Sequence, residues 1–155
     1  MTLGVEVAYG TRHPWAPPAR LIVAWAQAAA GRRASRAQLA IRIVTPAESQ
    51  HLNREFRGQN RPTNVLSFPA AATAAGDEAA MLGDLAICAR IVAREASAQG
   101  KTLAAHWAHM VVHGVLHLVG YDHLRREDAR RMERRERTLL KKLGFPNPYV
   151  MPDHG

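Results

Sequence analysis

The sequence predicts one α+β domain over residues 1–155, with a small mixed β-sheet packed against about five helices. The length of 155 residues is that of a single domain. With 47% apolar and 22% charged residues, the chain has a globular composition, which excludes a disordered protein. Segments with strand and helix periodicity are mixed along the chain with no linker or repeat between them, as in α+β domains.

The first half of the chain predicts two strands and two helices. Large aliphatic side chains recur at every second position in residues 3–9 and 39–44, the pattern of a half-buried strand. Pro17-Pro18 opens a helix that Gly31 closes, because proline suits a helix start and glycine the position after its end. Thr45-Pro46-Ala47-Glu48 is a capping box, and it predicts a helix that stops at Gly58.

The second half predicts two strands and three helices. Val65–Phe68 is a short strand ended by Pro69, and the Ala-rich residues 70–80 predict an exposed, mobile connection. The remaining elements are a strand at 85–88 and helices at 89–98, 102–119 and 124–143, the last stopped by Gly144.

Charge gives the first indication of function. Lys and Arg number 21 against 13 acids, a net charge of +8 and a pI near 10.7. Such a field attracts polyanions, of which nucleic acid is the commonest in a cytoplasm. The single cysteine, Cys88, excludes an intrachain disulfide and suits a reducing compartment. No apolar run is long enough for a membrane span and the start lacks a basic signal region, so we expect a cytoplasmic protein with no membrane partner.

Five of the eight histidines lie between His106 and His123. Positions four apart on a helix differ by about 40° in azimuth, so His113 and His117 project side by side and can share one metal ion. Gly120 can end the helix in a left-handed conformation, and His123 can then reach the same ion from the turn. Three neutral imidazoles with an open fourth position are typical of a catalytic zinc site. We therefore expect one Zn²⁺ per chain.

The same spacing occurs in metalloproteases, but one residue differs. Their motif carries a glutamate general base directly after the first histidine, and that position is Gly114 here. A glycine cannot abstract a proton, so peptide hydrolysis by that mechanism is disfavoured. We also expect the missing side chain to open space beside the metal.

Three further residues are candidates for a role behind the metal ligands. His109 lies one turn before His113, and His106 two turns before it, so both are outer-shell or groove residues or simply partly buried histidines. Asp122 can orient an imidazole or cap the last helix. Glu136 falls in the apolar stripe formed by Met132, Leu139, Leu140 and Leu143, where a carboxylate needs a specific partner. An arginine, a backbone N–H, His106 or His109 could supply it.

Several segments together resemble a known family, the YbeY endoribonucleases of bacterial rRNA maturation. The resemblance covers roughly residues 45–145. Its segments are Leu52–Gly58, Pro62–Pro69, Leu82–Ile87 and His113–His123, followed by Met132, Glu136, Leu139-Leu140 and Leu143-Gly144. The family's more usual T-D-V-L-S-F-P has Asn64 in place of its acid here.

The resemblance implies a zinc ion on His113, His117 and His123 and a functionally important arginine at Arg57. It implies cleavage of single-stranded RNA in the 3′-end maturation of small-subunit (16S) rRNA and in ribosome quality control. The implied partners are small-subunit ribosomal proteins and an Era-type GTPase, and no DNA partner is expected. An arginine at Arg57 suits this role because its guanidinium can hold a phosphate with two parallel hydrogen bonds, although it could equally complement a helix dipole.

Two other functions remain open at the level of sequence. One is a different zinc hydrolase, such as a peptidase, and the other is a non-enzymatic ribosome-assembly factor with a structural zinc. The last helix leaves a similar choice: its arginines could track phosphates, or could form (i, i+4) pairs such as Glu127–Arg131 and Glu133–Arg137 on a solvated face.

Overall fold

A computed structural model describes residues 3–34, 37–70, 81–121 and 126–150 of the protein. The elements in chain order are β1 (Gly4–Tyr9), α1 (Ala19–Ala30), a short 3₁₀ helix (Gly31–Ala34), β2 (Gln38–Val44), α2 (Pro46–Arg57), β3 (Val65–Pro69), β4 (Met81–Cys88), α3 (Ala89–Gln99), α4 (Leu103–Leu118) and α5 (Arg126–Lys142). These four strands and five α-helices confirm the predicted α+β class. The predicted connection lies outside the described residues from position 71 to 80.

The sheet is mixed and has the strand order β1-β2-β4-β3. β1 and β4 both run parallel to β2, and β3 pairs antiparallel with β4 and forms one edge. Alternating side chains divide the core into two layers. One layer joins Leu39, Ile41, Leu85 and Ile87 to α1, α4 and α5, and the other joins Val44, Leu66, Ala86 and Cys88 to α2 and α3.

The predicted helix ends are confirmed where local chemistry determines them. Thr45 Oγ1 accepts a hydrogen bond from the Glu48 N–H, and Thr102 caps α4 in the same way. Gly120 follows α4 with a φ of 108°, a conformation that favours glycine, so the chain turns there as expected. None of the helices in the described ranges is long and apolar enough to cross a membrane.

One strand boundary differs from the prediction. β4 begins at Met81, not at Leu85, and its first half pairs with the end of β3 through Pro69↔Gly83 and Phe68↔Asp84. Backbone pairing holds this half, and its side chains show no apolar alternation. Hydrophobic periodicity in the sequence therefore could not predict this half of the strand.

Candidate metal centre and active site

The C-terminal half of α4 presents two of the predicted zinc ligands together. The ring centroids of His113 and His117 are 4.8 Å apart. Burial falls along the helix: His106 and His109 are buried, whereas the His113 side chain is 28% exposed and His117 is also partly exposed. The pair therefore lies at the more accessible end of α4. The third predicted ligand, His123, and the neighbouring Asp122 lie outside the described residues.

Glu136 of α5 is fully buried beside this pair, as the apolar stripe predicted. His113 Nδ1 lies 2.5 Å from Glu136 Oε1, and His109 Nε2 lies 3.2 Å from Oε2. The Tyr149 hydroxyl donates a third hydrogen bond to Oε2. A carboxylate only accepts hydrogen bonds, so both ring nitrogens carry their protons.

The ionisation of this network follows from burial and hydrogen bonding. Burial alone would raise the pKa of Glu136, but the hydrogen bonds from His109 and His113 outweigh it and lower the pKa to about 2. Burial lowers the pKa of His109, which favours its neutral form. Burial and the Glu136 acceptor raise the pKa of Tyr149, so its hydroxyl stays protonated. Glu136 is thus a carboxylate that accepts hydrogen bonds from three side chains.

His109, His113 and Glu136 also form the one group of potential metal ligands found within the described ranges, with ligand atoms within 4.8 Å of one another. Two ligands of a tetrahedral zinc ion, each at about 2.0–2.1 Å, stand roughly 3.3 Å apart. His113 Nδ1 and Glu136 Oε1 are closer than that, at hydrogen-bond distance. The group is also more deeply buried than the His113–His117 pair, and the Tyr149 hydroxyl donates a hydrogen bond to Glu136 Oε2. In this structure the group is a hydrogen-bonded network in which Glu136 contacts both histidines.

A second carboxylate supports the beginning of α4. Glu95 of α3 accepts from His106 Nε2 at 2.9 Å and from the Asn64 amide at 3.1 and 3.3 Å. Burial would raise the pKa of Glu95, but these hydrogen bonds lower it. An aspartate at position 64 would place two carboxylates in contact, so the asparagine is the residue that matches Glu95 here.

Gly114 does not open space beside the histidines, contrary to the sequence expectation. A Cβ at this position would lie 2.9 Å from Leu85 Cδ2 and 3.2 Å from Val65 Cγ2. Gly114 therefore faces the sheet, where the absence of a side chain lets α4 approach β3 and β4 closely. The expectation was wrong because consecutive residues on a helix point about 100° apart around its axis, so Gly114 does not share the face of His113.

Arg57 is the last residue of α2 and is exposed. Its guanidinium donates a hydrogen bond to the Ser67 carbonyl on edge strand β3. The Ser67 hydroxyl in turn donates to the Gly114 carbonyl of α4 at 3.1 Å. One residue of β3 thus connects the predicted phosphate-binding arginine with the helix that carries His113.

The arginines of α5 are not organised as expected for a salt-bridged face. Neither Glu127–Arg131 nor Glu133–Arg137 is among the ion pairs within 4.0 Å in the described part of the chain. Arg130, Arg131, Arg134 and Arg137 are exposed. Their side chains therefore face solvent.

Two contributors to the site had no sequence signal. Tyr149 lies beyond the predicted helix stop at Gly144, in a segment without periodicity. A contact between Lys101 Nζ and the Pro148 carbonyl, at 2.5 Å, holds this segment. Ser67 could not be identified from the sequence because a serine in a short strand is common and forms no distinctive motif. Only the neighbouring elements show what each hydroxyl contacts.

Comparison with known proteins agrees with this architecture. The solution structure of TM1509 from Thermotoga maritima shares the fold, with a TM-score of 0.61 and 23% sequence identity over 90% of this chain and 88% of that one. The family model described as Endoribonuclease YbeY matches residues 18–144. Since that match covers most of the chain, including α2, β3, β4, α4 and α5, this protein belongs to the YbeY endoribonuclease family.

Proposed function

We propose that this protein is a zinc-dependent endoribonuclease that cleaves single-stranded RNA during 3′-end maturation of 16S rRNA and in ribosome quality control. The observation that carries the proposal is the pair His113–His117 at the accessible end of α4, supported from behind by the buried Glu136. Family membership supplies the nuclease class. The net charge of +8 supports an RNA substrate.

The donor set fits a zinc ion. Since His113 Nδ1–H is bonded to Glu136, the Nε2 lone pair is the one that can bind a cation, and the carboxylate maintains that tautomer. His113, His117 and His123 would hold the ion. When bound, zinc supplies a Lewis acid that polarises a phosphoryl oxygen or lowers the pKa of water.

The chain's own residues have distinct proposed roles. Arg57 binds and orients the scissile phosphate, and its link to Ser67 places it at the β3 edge beside α4. Glu136 orients His113, and His109 helps to hold Glu136 in place. Asp122 stays a candidate for the same supporting role. None of these residues needs to change charge for the arrangement to bind a phosphodiester.

The two rival functions make different demands on the site. A peptidase of the metalloprotease type needs a carboxylate at position 114, where glycine packs against the sheet. A structural zinc needs a closed fourth position and has no need of an exposed arginine nearby. Both rivals predict that purified protein leaves RNA intact.

The direct test is cleavage of a defined single-stranded RNA with and without chelator, with the product ends identified. We expect internal cleavage that stops when the metal is removed and returns when zinc is restored. A double-stranded RNA of the same sequence is the control and should remain intact. Chelator-resistant cleavage would contradict zinc dependence, and intact single strands would contradict the nuclease activity.

Arg57→Lys should separate phosphate binding from folding. Lysine keeps the charge but loses the two-pronged donor geometry, so we expect cleavage to fall at least about 10-fold, or about 1.4 kcal/mol in the barrier. The melting temperature should change little, because Arg57 is exposed. Arg54→Lys, one turn earlier on α2 and also exposed, is the matched control and should cleave normally. A normal rate or a large loss of stability in Arg57→Lys would contradict the role.

RNA binding should be electrostatic and strongly dependent on salt. For single-stranded RNA, we expect the logarithm of the binding constant to fall by about 0.7 per phosphate neutralised for each unit of log salt concentration. Titrations from low to physiological salt measure the slope. A flat slope would argue against an RNA partner.

The proposed function also implies a compartment and partners for the enzyme. The family resemblance favours the cytoplasm, small-subunit ribosomal proteins and an Era-type GTPase as the surroundings in which the enzyme acts. The reduced, buried thiol of Cys88 is compatible with that compartment. Purified small ribosomal subunits provide the first binding partner to test.

A further inference from the structure

An exposed aromatic side chain stands directly beside Arg57. Phe56 is 61% exposed, which is unusual for a large apolar residue on a helix that has a sheet to pack against. Its ring meets that of Phe68 edge to face, with centroids 5.3 Å apart and an interplanar angle of 70°. The Arg57 guanidinium lies 5.5 Å from the centre of the Phe68 ring. Two aromatic rings and a cation thus share one small surface.

This surface lies across the edge strand from the histidines. Phe68 points to the α2 side of the sheet, whereas its neighbour Ser67 reaches Gly114 of α4 on the other side. Arg57 contacts both, since it faces the Phe68 ring and donates to the Ser67 carbonyl. A chain of nucleotides crossing the β3 edge at Arg57 would therefore pass from the histidine side to the aromatic side.

A groove of about 370 Å³ adjoins the aromatic pair. Apolar side chains and two charged ones line it: Leu52, Phe56, Phe68, Leu85 and Ala86, with Arg42 and Asp84. Arg42 pairs with Glu48 at 2.5 Å, and the Asp84 carboxylate can accept a hydrogen bond from an exocyclic amine. The combination of an apolar groove, a polar acceptor and an adjacent arginine suits a nucleobase attached to a phosphate.

We propose that Phe56 and Phe68 form a base-stacking subsite that takes one unpaired nucleobase of the RNA next to the phosphate held by Arg57. The proposal rests on the proposed RNA-cleaving function. Stacking on aromatic side chains tolerates every base because each has a π-face, and it requires a base that is free of its own stack and pair. The subsite would therefore select single strands over duplexes, in addition to any selection at the metal.

The test measures binding of a short single-stranded RNA that carries 2-aminopurine, at 4 °C and on a time scale shorter than cleavage. We expect Phe56→Leu to weaken binding about 10-fold and to lose the quenching that stacking produces. Phe56→Trp should bind at least as well as the wild type. Trp15→Leu is the matched control, since Trp15 is a similarly exposed aromatic residue (47%) that does not line the groove, and it should bind normally. Phe56 is exposed, so we expect unchanged melting temperatures in all variants.

An RNA with one abasic position gives an independent measurement. Placed at the stacked nucleotide, the abasic site should weaken wild-type binding to the level of Phe56→Leu and should not weaken Phe56→Leu further. Equal affinity of wild type and Phe56→Leu for the intact RNA would overturn the subsite. If Phe56→Leu instead loses binding only to a ribosomal protein, the surface is a protein-docking site and the subsite is again overturned. Failure of the wild type itself to bind and cleave the RNA would overturn the proposed function, which separates the two conclusions.

Discussion

His117→Ala is expected to lose stoichiometric zinc and to abolish RNA cleavage. His117 projects beside His113 from the accessible end of α4, and in the proposed site it supplies one of three imidazoles. Removing a direct ligand should lower zinc affinity by more than the roughly 10–100-fold loss that follows from removing a residue that hydrogen-bonds to a ligand. Metal analysis of purified, folded protein measures the loss, and the double variant His113→Ala, His117→Ala should retain no zinc.

His109→Ala is the matched comparison on the same helix. His109 hydrogen-bonds to Glu136 and is buried, so its loss should weaken zinc retention modestly while leaving stoichiometric binding at high zinc. If the ion were held by His109, His113 and Glu136, the two variants would behave in the opposite way. Retention of zinc by His117→Ala together with its loss in His109→Ala would refute the proposed ligand set.

Glu136→Gln should produce the second-largest effect, a 10–100-fold weaker affinity for zinc with correspondingly slower cleavage. The carboxylate accepts from three donors, and a glutamine places an NH₂ group against one of them. When that donor is His113 Nδ1–H, the ring relieves the clash by moving its proton to Nε2. The nitrogen that would bind the cation is then protonated, and zinc must reverse the tautomer before it can bind.

Competition with a chelator of known affinity measures this effect without relying on activity. Tyr149→Phe is the control, since it removes one donor and leaves the carboxylate and its bond to His113 in place. We expect a smaller loss of zinc affinity there than in Glu136→Gln. A Glu136→Gln protein that melts earlier but keeps wild-type zinc affinity and cleavage per folded molecule would show that the contact serves only the fold.

Local chemistry made much of the fold predictable. The caps at Thr45 and the stop at Gly58 act within a few residues, so the sequence around them is sufficient to define α2. Periodicity likewise placed Glu136 in the apolar stripe of α5 before any partner was known. The first half of β4 could not be found in this way because its pairing with β3 depends on backbone hydrogen bonds between segments distant in sequence.

The amino-acid sequence by itself determined most of the elements, the adjacency of His113 and His117 and the need for a partner at Glu136. The last two could be predicted because helix geometry relates residues three or four positions apart. Tertiary structure decided which groups meet across elements. It brought His113, His109 and Tyr149 to Glu136, turned Gly114 toward Leu85, and joined Arg57 to α4 through Ser67. The direction in which a side chain points around its helix depends on the local sequence, whereas the atom that it contacts depends on how two separate elements pack against each other.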